Sequence, residues 1–218
     1  MRLREHISRT TLLLALAFAC TPTETGNPPI VEPAGFGVEP DFGFGEPTFR
    51  LTAPPGAITP PEGLLRITPL DEGTRVVQVP VAGDGSINVM VEGEGEHRLE
   101  VLQEERSLPL DFVIDAADPP GSFRQAERGL PCLSVEPLLA LDRSTIVTVD
   151  NGCDVTVAFE ARLRLGTAGI ALEGPAAGTI PADDFITLDL RADSARGEDH
   201  LLLEITDPAP TRRVVTLF

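Results

Sequence analysis

The sequence predicts an all-β protein built from two small antiparallel β-sandwich domains. Three observations carry this prediction. Apolar and polar residues alternate over many short segments, Gly- and Asp-rich turn sequences separate the segments, and 21 prolines and 20 glycines among 218 residues leave little room for long helices. Alternation places one strand face in a core and the other in water, as antiparallel sheets do. Because Trp and Tyr are absent, Val, Leu and Ile must fill most of the core, and these residues favour strands.

The first predicted domain spans residues 48–118 and contains six alternating segments. In the fifth segment Leu99 and Val101 are predicted to face the core, so Arg98 and Glu100 are expected on the face exposed to water. The predicted strands of this domain are 48–52, 64–68, 76–81, 87–92, 98–103 and 110–115.

Two runs in this domain carry a family resemblance. GDGSI at 83–87 and GEHRL at 95–99 are similar to sequences in Ig-like modules of bacterial surface proteins. In those modules a DGS turn leads into one strand and a G-x-H-x-L stretch opens another. The resemblance implies an Ig-like sandwich, but it rests on turn residues and identifies no site.

The second predicted domain spans residues 131–218. Its sequence contains VEP at 135–137, VDNGC at 149–153 and IPADDF at 180–185. This order resembles the Ig-like domains related to major sperm protein and to the Hydin and SPD-2 group. The resemblance implies a seven-stranded sandwich used for binding or assembly and supplies no catalytic residues. The predicted strands are 132–135, 145–149, 154–165, 170–172, 185–192, 200–206 and 213–218.

Residues 1–19 predict a signal peptide. Three arginines form a positive start, an apolar run covers 12–18, and small residues precede Cys20. The sequence LAFAC at 16–20 resembles the lipobox of bacterial lipoproteins. The resemblance implies diacylation of the Cys20 thiol, cleavage before Cys20 and, because Thr21 replaces an inner-membrane retention Asp, sorting to the outer membrane. The alternative is cleavage at the A-x-A sequence 17–19 by ordinary signal peptidase, which releases a soluble protein.

Residues 20–47 predict a lipidated Cys followed by a disordered tether, because Pro and Gly interrupt every period in this stretch. Residues 119–130 predict a second linker, between the domains. The unusual feature of the tether region is a set of phenylalanines, which either pack onto the first domain or form a short partner-binding segment: Phe36, Phe42, Phe44 and Phe49.

The number of cysteines favours lipidation. The chain contains three, and lipidation of Cys20 leaves Cys132 and Cys153 as a pair. We expect these two to form a disulfide in an oxidising compartment, worth ~3 kcal/mol for a loop of this size. The alternative is a pair of reduced, buried thiols. A metal site on them is not expected, because neither Cys lies in a C-x-x-C pair.

The charge balance limits the partners. The net charge is −17, which repels the phosphates of nucleic acids and the headgroups of anionic lipids. Membrane attachment must therefore come from an inserted lipid chain. We expect no nucleic-acid partner.

No catalytic, cofactor-binding or metal-binding residue is predicted. His97 and His200 are expected on the surface at the domain rims, and no G-x-S-x-G, H-E-x-x-H or P-loop sequence occurs. The acidic pairs 104–105 and 183–184 are candidate Ca²⁺ ligands, but we expect no Ca²⁺ site on them, because adjacent carboxylates point apart and Ca²⁺ needs six to eight converging oxygens.

The sequence therefore predicts a non-enzymatic lipoprotein of the cell envelope with a binding, adhesive or scaffolding role towards a protein or glycan. One alternative is an accessory subunit of an envelope complex. Another is a hydrolase with an unrecognised site, which a pocket joining His97 or His200 to a buried carboxylate and a hydroxyl would indicate.

Overall fold

The computed structural model describes residues 28–41, 47–71, 75–103, 106–117, 121–140, 144–166, 169–193 and 197–218. Every regular element in these ranges is a β-strand, and the strands form two β-sandwich domains, which confirms the predicted fold class. Among the described residues no helix is long and apolar enough to cross a membrane.

The first domain packs a three-stranded sheet, in the order β2-β3-β7, against a five-stranded sheet, in the order β10-β9-β8-β5-β6. A short ribbon of β1 and β4 closes one side. The strands are β1 Ile30–Val31, β2 Gly37–Asp41, β3 Thr48–Ala53, β4 Ile58–Thr59, β5 Leu64–Pro69, β6 Val77–Pro80, β7 Ile87–Glu92, β8 Gly95–Leu102, β9 Leu110–Ile114 and β10 Arg124–Gln125.

The predicted tether is corrected over the part that the structure describes. Strand β2 pairs with β3, and Phe36 and Val38 lie in the core of the first domain, where Phe49 is also buried. Strand β2 lies at the edge of its sheet and therefore tolerates Pro40. Because proline is uncommon in strands, its presence argued against a strand at this place in the sequence. Residues 20–27 lie outside the described part, as do Phe42 and Phe44.

The predicted linker 119–130 is corrected in the same way. Strand β10 pairs with β9, and the Phe123 ring stacks on Phe112 at 5.3 Å and meets Phe36 edge-on at 5.0 Å. The segment that follows the first domain in the sequence therefore completes the domain's core. Two residues are too few to show a hydrophobic period, which explains why the sequence does not reveal this strand.

The second domain packs a four-stranded sheet, in the order β11-β13-β17-β15, against a five-stranded sheet, in the order β12-β19-β18-β14-β16. All pairings are antiparallel except that of β12 with β19. The strands are β11 Leu133–Glu136, β12 Leu139–Ala140, β13 Ser144–Asn151, β14 Val157–Leu163, β15 Ile170–Glu173, β16 Ala177–Ile180, β17 Asp184–Ala192, β18 Asp199–Asp207 and β19 Thr211–Leu217.

The chain segment at Asn151-Gly152, within the VDNGC sequence, joins two sheets. Strand β13, which ends at Asn151, pairs with β11 and β17, whereas the next strand, β14, pairs with β16 and β18. This segment therefore carries the chain from one layer of the sandwich to the other, and its flanking strands do not form a hairpin.

Candidate functional site

The two domains meet through the outer faces of their five-stranded sheets. On β8 the side chains predicted to face water are buried: Arg98 is 2% exposed and Glu100 is 0% exposed. Arg98 donates to the Oγ1 of Thr216 on β19, at 3.0 Å, and Glu100 accepts a hydrogen bond from the same hydroxyl, also at 3.0 Å. The expectation of a wet face is therefore wrong for β8, because the second domain covers it.

A small apolar contact anchors this interface. Leu70 from the first domain packs with Leu202 and Val214 from the second, and all three side chains are buried. They form a cluster separate from the two domain cores. The contact removes apolar surface from water, and the polar residues around it lose solvent as a consequence.

The Arg98 guanidinium group donates four hydrogen bonds. Its Nε and Nη2 donate to the two carboxylate oxygens of Asp111 at 2.7 and 2.8 Å, and Nη2 also donates to the carbonyl of Val214 at 3.1 Å. Burial raises the pKa of Asp111, but the hydrogen bonds and charges of Arg98 and Arg128 outweigh it and lower that pKa overall. This bidentate pair is ionised and links the covered face of β8 to the second domain.

A groove of about 650 Å³ opens at one edge of the interface. Arg212 donates to Glu204 at 2.7 Å, to Asp71 at 3.1 Å and to Glu96 at 3.2 Å. Arg128 contacts Glu96 from the opposite wall of the groove. Arg212 of the second domain therefore binds two carboxylates of the first domain, and these contacts join the domains.

At the centre of the interface, three side chains each have a buried polar atom without a hydrogen-bond partner. Glu100, Glu198 and His200 each direct one ligand atom to a common point, and these atoms lie within 4.8 Å of one another. Three buried atoms of this cluster have no hydrogen-bond partner: Glu100 Oε2, Glu198 Oε1 and His200 Nε2. Buried polar atoms without a partner are uncommon in folded proteins, so three at one point are unexpected.

The environment sets the protonation of the cluster. Burial raises the pKa of Glu100, and the neighbouring Glu198 carboxylate raises it further, while Arg98 acts in the opposite direction. Burial lowers the pKa of His200 well below its usual value, and Arg98 and Arg66 lower it further. His200 is therefore a neutral imidazole at neutral pH, with a lone pair available on one ring nitrogen.

This arrangement brings a histidine, a carboxylate and a hydroxyl together, as the hydrolase alternative required. Glu100, His200 and Thr216 are however sealed from solvent, at 1% exposure or less. The Thr216 hydroxyl is also engaged with both Arg98 and Glu100. A substrate cannot reach these groups while the domains are docked, so the cluster is suited to hold a cation or a proton.

The other predicted site residues are placed as follows. Cys132 and Cys153 form a disulfide, as predicted. Cys20 and the acidic pair 104–105 lie outside the described residues. Asp183 lies on the turn before β17 and Asp184 is the first residue of that strand, and both are exposed.

The rim positions predicted for the two histidines are wrong. His97 is 0% exposed and His200 is 1% exposed. The His97 ring stacks on Phe112 at 5.5 Å, and its nitrogens contact the carbonyl oxygens of Gly95 and Glu92 at 3.2 and 3.3 Å. His97 thus belongs to the first domain, whereas His200 is buried only where the domains meet.

One sequence signal could have revealed this interface. Residues 201–203 are three consecutive leucines, and residues 214–215 are two consecutive valines, so both faces of β18 and β19 are apolar at these positions. A strand that is buried on both faces shows this pattern, whereas a strand with one wet face alternates. The ligand cluster itself gives no local signal, because Glu100 is distant in sequence from Glu198 and His200.

The fold is similar to those of two solved structures. WR4, a C. elegans member of the MSP family, matches with 18% identity and a TM-score of 0.35, over 40% of this chain and 96% of that one. The D0-D1 domain of Intimin matches with 13% identity and a TM-score of 0.27, over 84% of this chain and 99% of that one. No protein-family model and no curated protein sequence matches the chain. These are likenesses of fold alone.

Proposed function

We propose that this chain is a non-enzymatic lipoprotein of the bacterial cell envelope, anchored through Cys20, whose docked β-sandwiches serve as a binding or scaffolding module. The observation that carries the proposal is the pairing of Cys132 with Cys153. The sequence contains three cysteines, so this disulfide leaves Cys20 as the one unpaired thiol, at the end of the apolar run of the signal peptide. A disulfide also suits an exported protein.

The interface supports a scaffolding role over a catalytic one. Side chains that could perform acid–base chemistry are used between the domains, where substrate has no access. The same contacts fix one sandwich against the other, so the pair can present its outer strands to a protein or glycan in a constant arrangement. The proposed location is the outer membrane, facing the periplasm or the surface.

Metabolic labelling tests the anchor. Cells expressing the wild-type chain are grown with a radioactive or clickable palmitate, and a Cys20→Ser variant serves as the matched control. We expect label on the wild type alone, and we expect only the wild type to enter the detergent phase after Triton X-114 partition. Wild-type protein that carries no label and stays in the aqueous phase contradicts the anchor.

A second experiment separates a scaffold from an accessory subunit. Envelopes are treated with a membrane-permeable crosslinker, and the chain is recovered with its partners. A single stoichiometric partner that resists salt indicates an accessory subunit, whereas several substoichiometric partners indicate a binding or scaffolding module. A chain whose purified form hydrolyses ester, peptide or glycoside test substrates, with the activity lost in His200→Gln, contradicts the non-enzymatic assignment.

A further inference from the structure

We propose that Glu100, Glu198 and His200 bind a divalent metal ion of the Zn²⁺ class, which clamps the two domains together. The inference goes beyond the proposed function and does not depend on lipidation of Cys20. It concerns groups that come from both domains, because Glu100 lies on β8 of the first domain and His200 lies on β18 of the second.

The geometry of the cluster fits an ion of this size. Because the three ligand atoms lie within 4.8 Å of one another, a point at their centre is at most about 2.8 Å from each. Zinc binds His nitrogen and carboxylate oxygen at about 2.0–2.2 Å. Each ligand atom must therefore move inward by less than about 1 Å, which small rotations of the two Glu side chains supply.

The chemistry of the free atoms calls for a positive occupant. Two carboxyl oxygens and one imidazole nitrogen of this cluster have no hydrogen-bond partner. His200 Nε2 is an acceptor when the neutral ring carries its proton on Nδ1. Glu100 is 0% exposed and His200 is 1% exposed, so bulk water does not satisfy them. An unpartnered buried acceptor costs about 1–3 kcal/mol in general, and a shared metal ion removes that cost at all three atoms together.

Outer hydrogen bonds hold two of the ligands in position. The Thr216 hydroxyl donates to Glu100 Oε1 and leaves Oε2 free to bind. Arg66 and Arg106 donate to Glu198 Oε2 and leave Oε1 free. In metal sites the ligands are oriented in this manner by partners that bind the atom not used for the metal.

The ligand set and the surrounding charge select the metal. Ca²⁺ and Mg²⁺ require six or more oxygen ligands, whereas Zn²⁺ accepts three protein ligands, including an imidazole, with water in the fourth position. The guanidinium groups of Arg66, Arg98 and Arg106 lie nearby and oppose an ion held by charge alone. They therefore favour an ion with a strong preference for imidazole nitrogen.

Binding is tested on the untagged, detergent-solubilised full chain, after treatment with a chelator and its removal by dialysis. Zn²⁺ is titrated by calorimetry, and Co²⁺ is titrated by visible absorption, since low-coordinate Co²⁺ gives intense bands that octahedral Co²⁺ does not. We expect one Zn²⁺ per chain and a Co²⁺ spectrum that Zn²⁺ abolishes by competition. The disulfide removes Cys132 and Cys153 as competing ligands.

Variants assign the site. Glu198→Gln and His200→Gln are expected to weaken Zn²⁺ binding at least about a hundredfold, and Thr216→Val about tenfold, because outer partners typically change metal affinity 10- to 100-fold. The matched control is Glu160→Gln, an exposed glutamate on β14 of the second domain, which should leave the affinity unchanged. Far-ultraviolet circular dichroism checks that each variant keeps its β-structure.

The wild-type measurement alone can overturn the proposal, without any variant. A chain that binds neither Zn²⁺ nor Co²⁺ more tightly than roughly 100 µM has no metal clamp, and a proton shared among the three acceptors is then the occupant. Tight binding that persists unchanged in both Glu198→Gln and His200→Gln also overturns it, because the ion must then sit elsewhere.

Discussion

Asn151 is a buried polar residue where the chain passes from one sheet of the second domain to the other. Its Nδ2 lies within hydrogen-bond distance of the carbonyl oxygens of Val155, Ile180 and Pro181, at 2.9, 3.0 and 2.8 Å. Its Oδ1 accepts from the backbone N–H of Cys153 at 3.2 Å. The side chain is 0% exposed, so these contacts replace every hydrogen bond that it would make with water.

Replacing Asn151 should therefore be costly. We expect Asn151→Ala to lower the free energy of unfolding by about 3 kcal/mol, because it leaves several buried backbone groups without partners. Urea denaturation followed by circular dichroism measures the change. The neighbouring Asp150→Ala is the control, since Asp150 is exposed, and its effect should stay within about 0.5 kcal/mol. Equal effects of the two substitutions would contradict the role assigned to Asn151.

The buried histidines should make the fold sensitive to mild acid. Burial lowers the pKa of both His97 and His200, so the unfolded chain, with an ordinary pKa near 6.5, binds protons that the folded chain does not. Their contribution to stability is present above about pH 6.5 and is lost as the pH falls below that value. Glu100 acts with the opposite sign, because its pKa is raised in the folded state.

Urea denaturation of the metal-free chain at pH 7.5 and pH 5.5 tests this. We expect the wild type to be less stable at pH 5.5, and we expect His200→Gln to lose less stability between the two values, since Gln does not titrate. An identical pH dependence in the wild type and in His200→Gln would show that His200 takes up protons equally in the folded and unfolded states, and would contradict a pKa lowered by burial.

At the level of strands, periodicity finds elements that are long enough to repeat. The predicted segment 87–92 coincides with β7, and the predicted 110–115 differs from β9 by one residue. Strands of two residues, such as β1 and β10, contain no full period and are missed. Strand β16 is missed because Ala177, Gly178 and Thr179 give no contrast between its two faces.

Periodicity also predicts which face of a strand is buried by its own domain, but it does not predict burial by another domain. Leu99 and Val101 are buried in the first domain as predicted, but the burial of Arg98 and Glu100 depends on a surface more than 100 residues later in the chain. A polar face that another domain covers has the same local pattern as a face in water. For this reason the sequence predicts the two sandwiches but not the site between them.

The disulfide stabilises the start of β11. Cys132 precedes this strand, Cys153 follows β13, and the bond closes a loop with a sequence separation of 21. We expect the double variant Cys132→Ser, Cys153→Ser to lose about 3 kcal/mol of unfolding free energy, because the unfolded chain gains conformational freedom. Adding a reducing agent provides the control: it should destabilise the wild type by a similar amount and leave the double variant unchanged. Unequal losses would mean that the serines disturb the fold directly.

In the whole molecule, positive charge is gathered between the domains. The chain has 17 basic residues against 34 acidic ones. Six arginines lie at the interface and contact groups there: Arg66, Arg98, Arg106, Arg128, Arg164 and Arg212. Arginine suits buried ion pairs, because its planar group binds carboxylates through two hydrogen bonds. These arginines pair with carboxylates of the same interface, among them Asp71, Glu96 and Glu198, so the excess negative charge of the chain lies on the rest of the protein.

Buried pairs of this kind make separation of the domains expensive, because a charge that loses its partner in a covered site costs about 3–5 kcal/mol. We therefore expect the two sandwiches to unfold together, in one calorimetric transition. Leu202→Arg tests this, because it places a charge against Leu70 and Val214 while leaving the inner core of the second domain intact. The variant should keep its β-sheet circular dichroism but unfold in two transitions.

The adjacent residue provides the control for that experiment. Leu203 points into the core of the second domain, so Leu203→Arg should unfold that domain outright, although the substitution is chemically the same one position later. The contrast depends on β18 being buried on one face by its own domain and on the other by its neighbour. If Leu202→Arg abolishes the β-structure of the second domain as Leu203→Arg does, both faces of β18 are essential to the domain itself. If instead it unfolds in a single transition at the wild-type temperature, Leu202 contributes nothing to the docking.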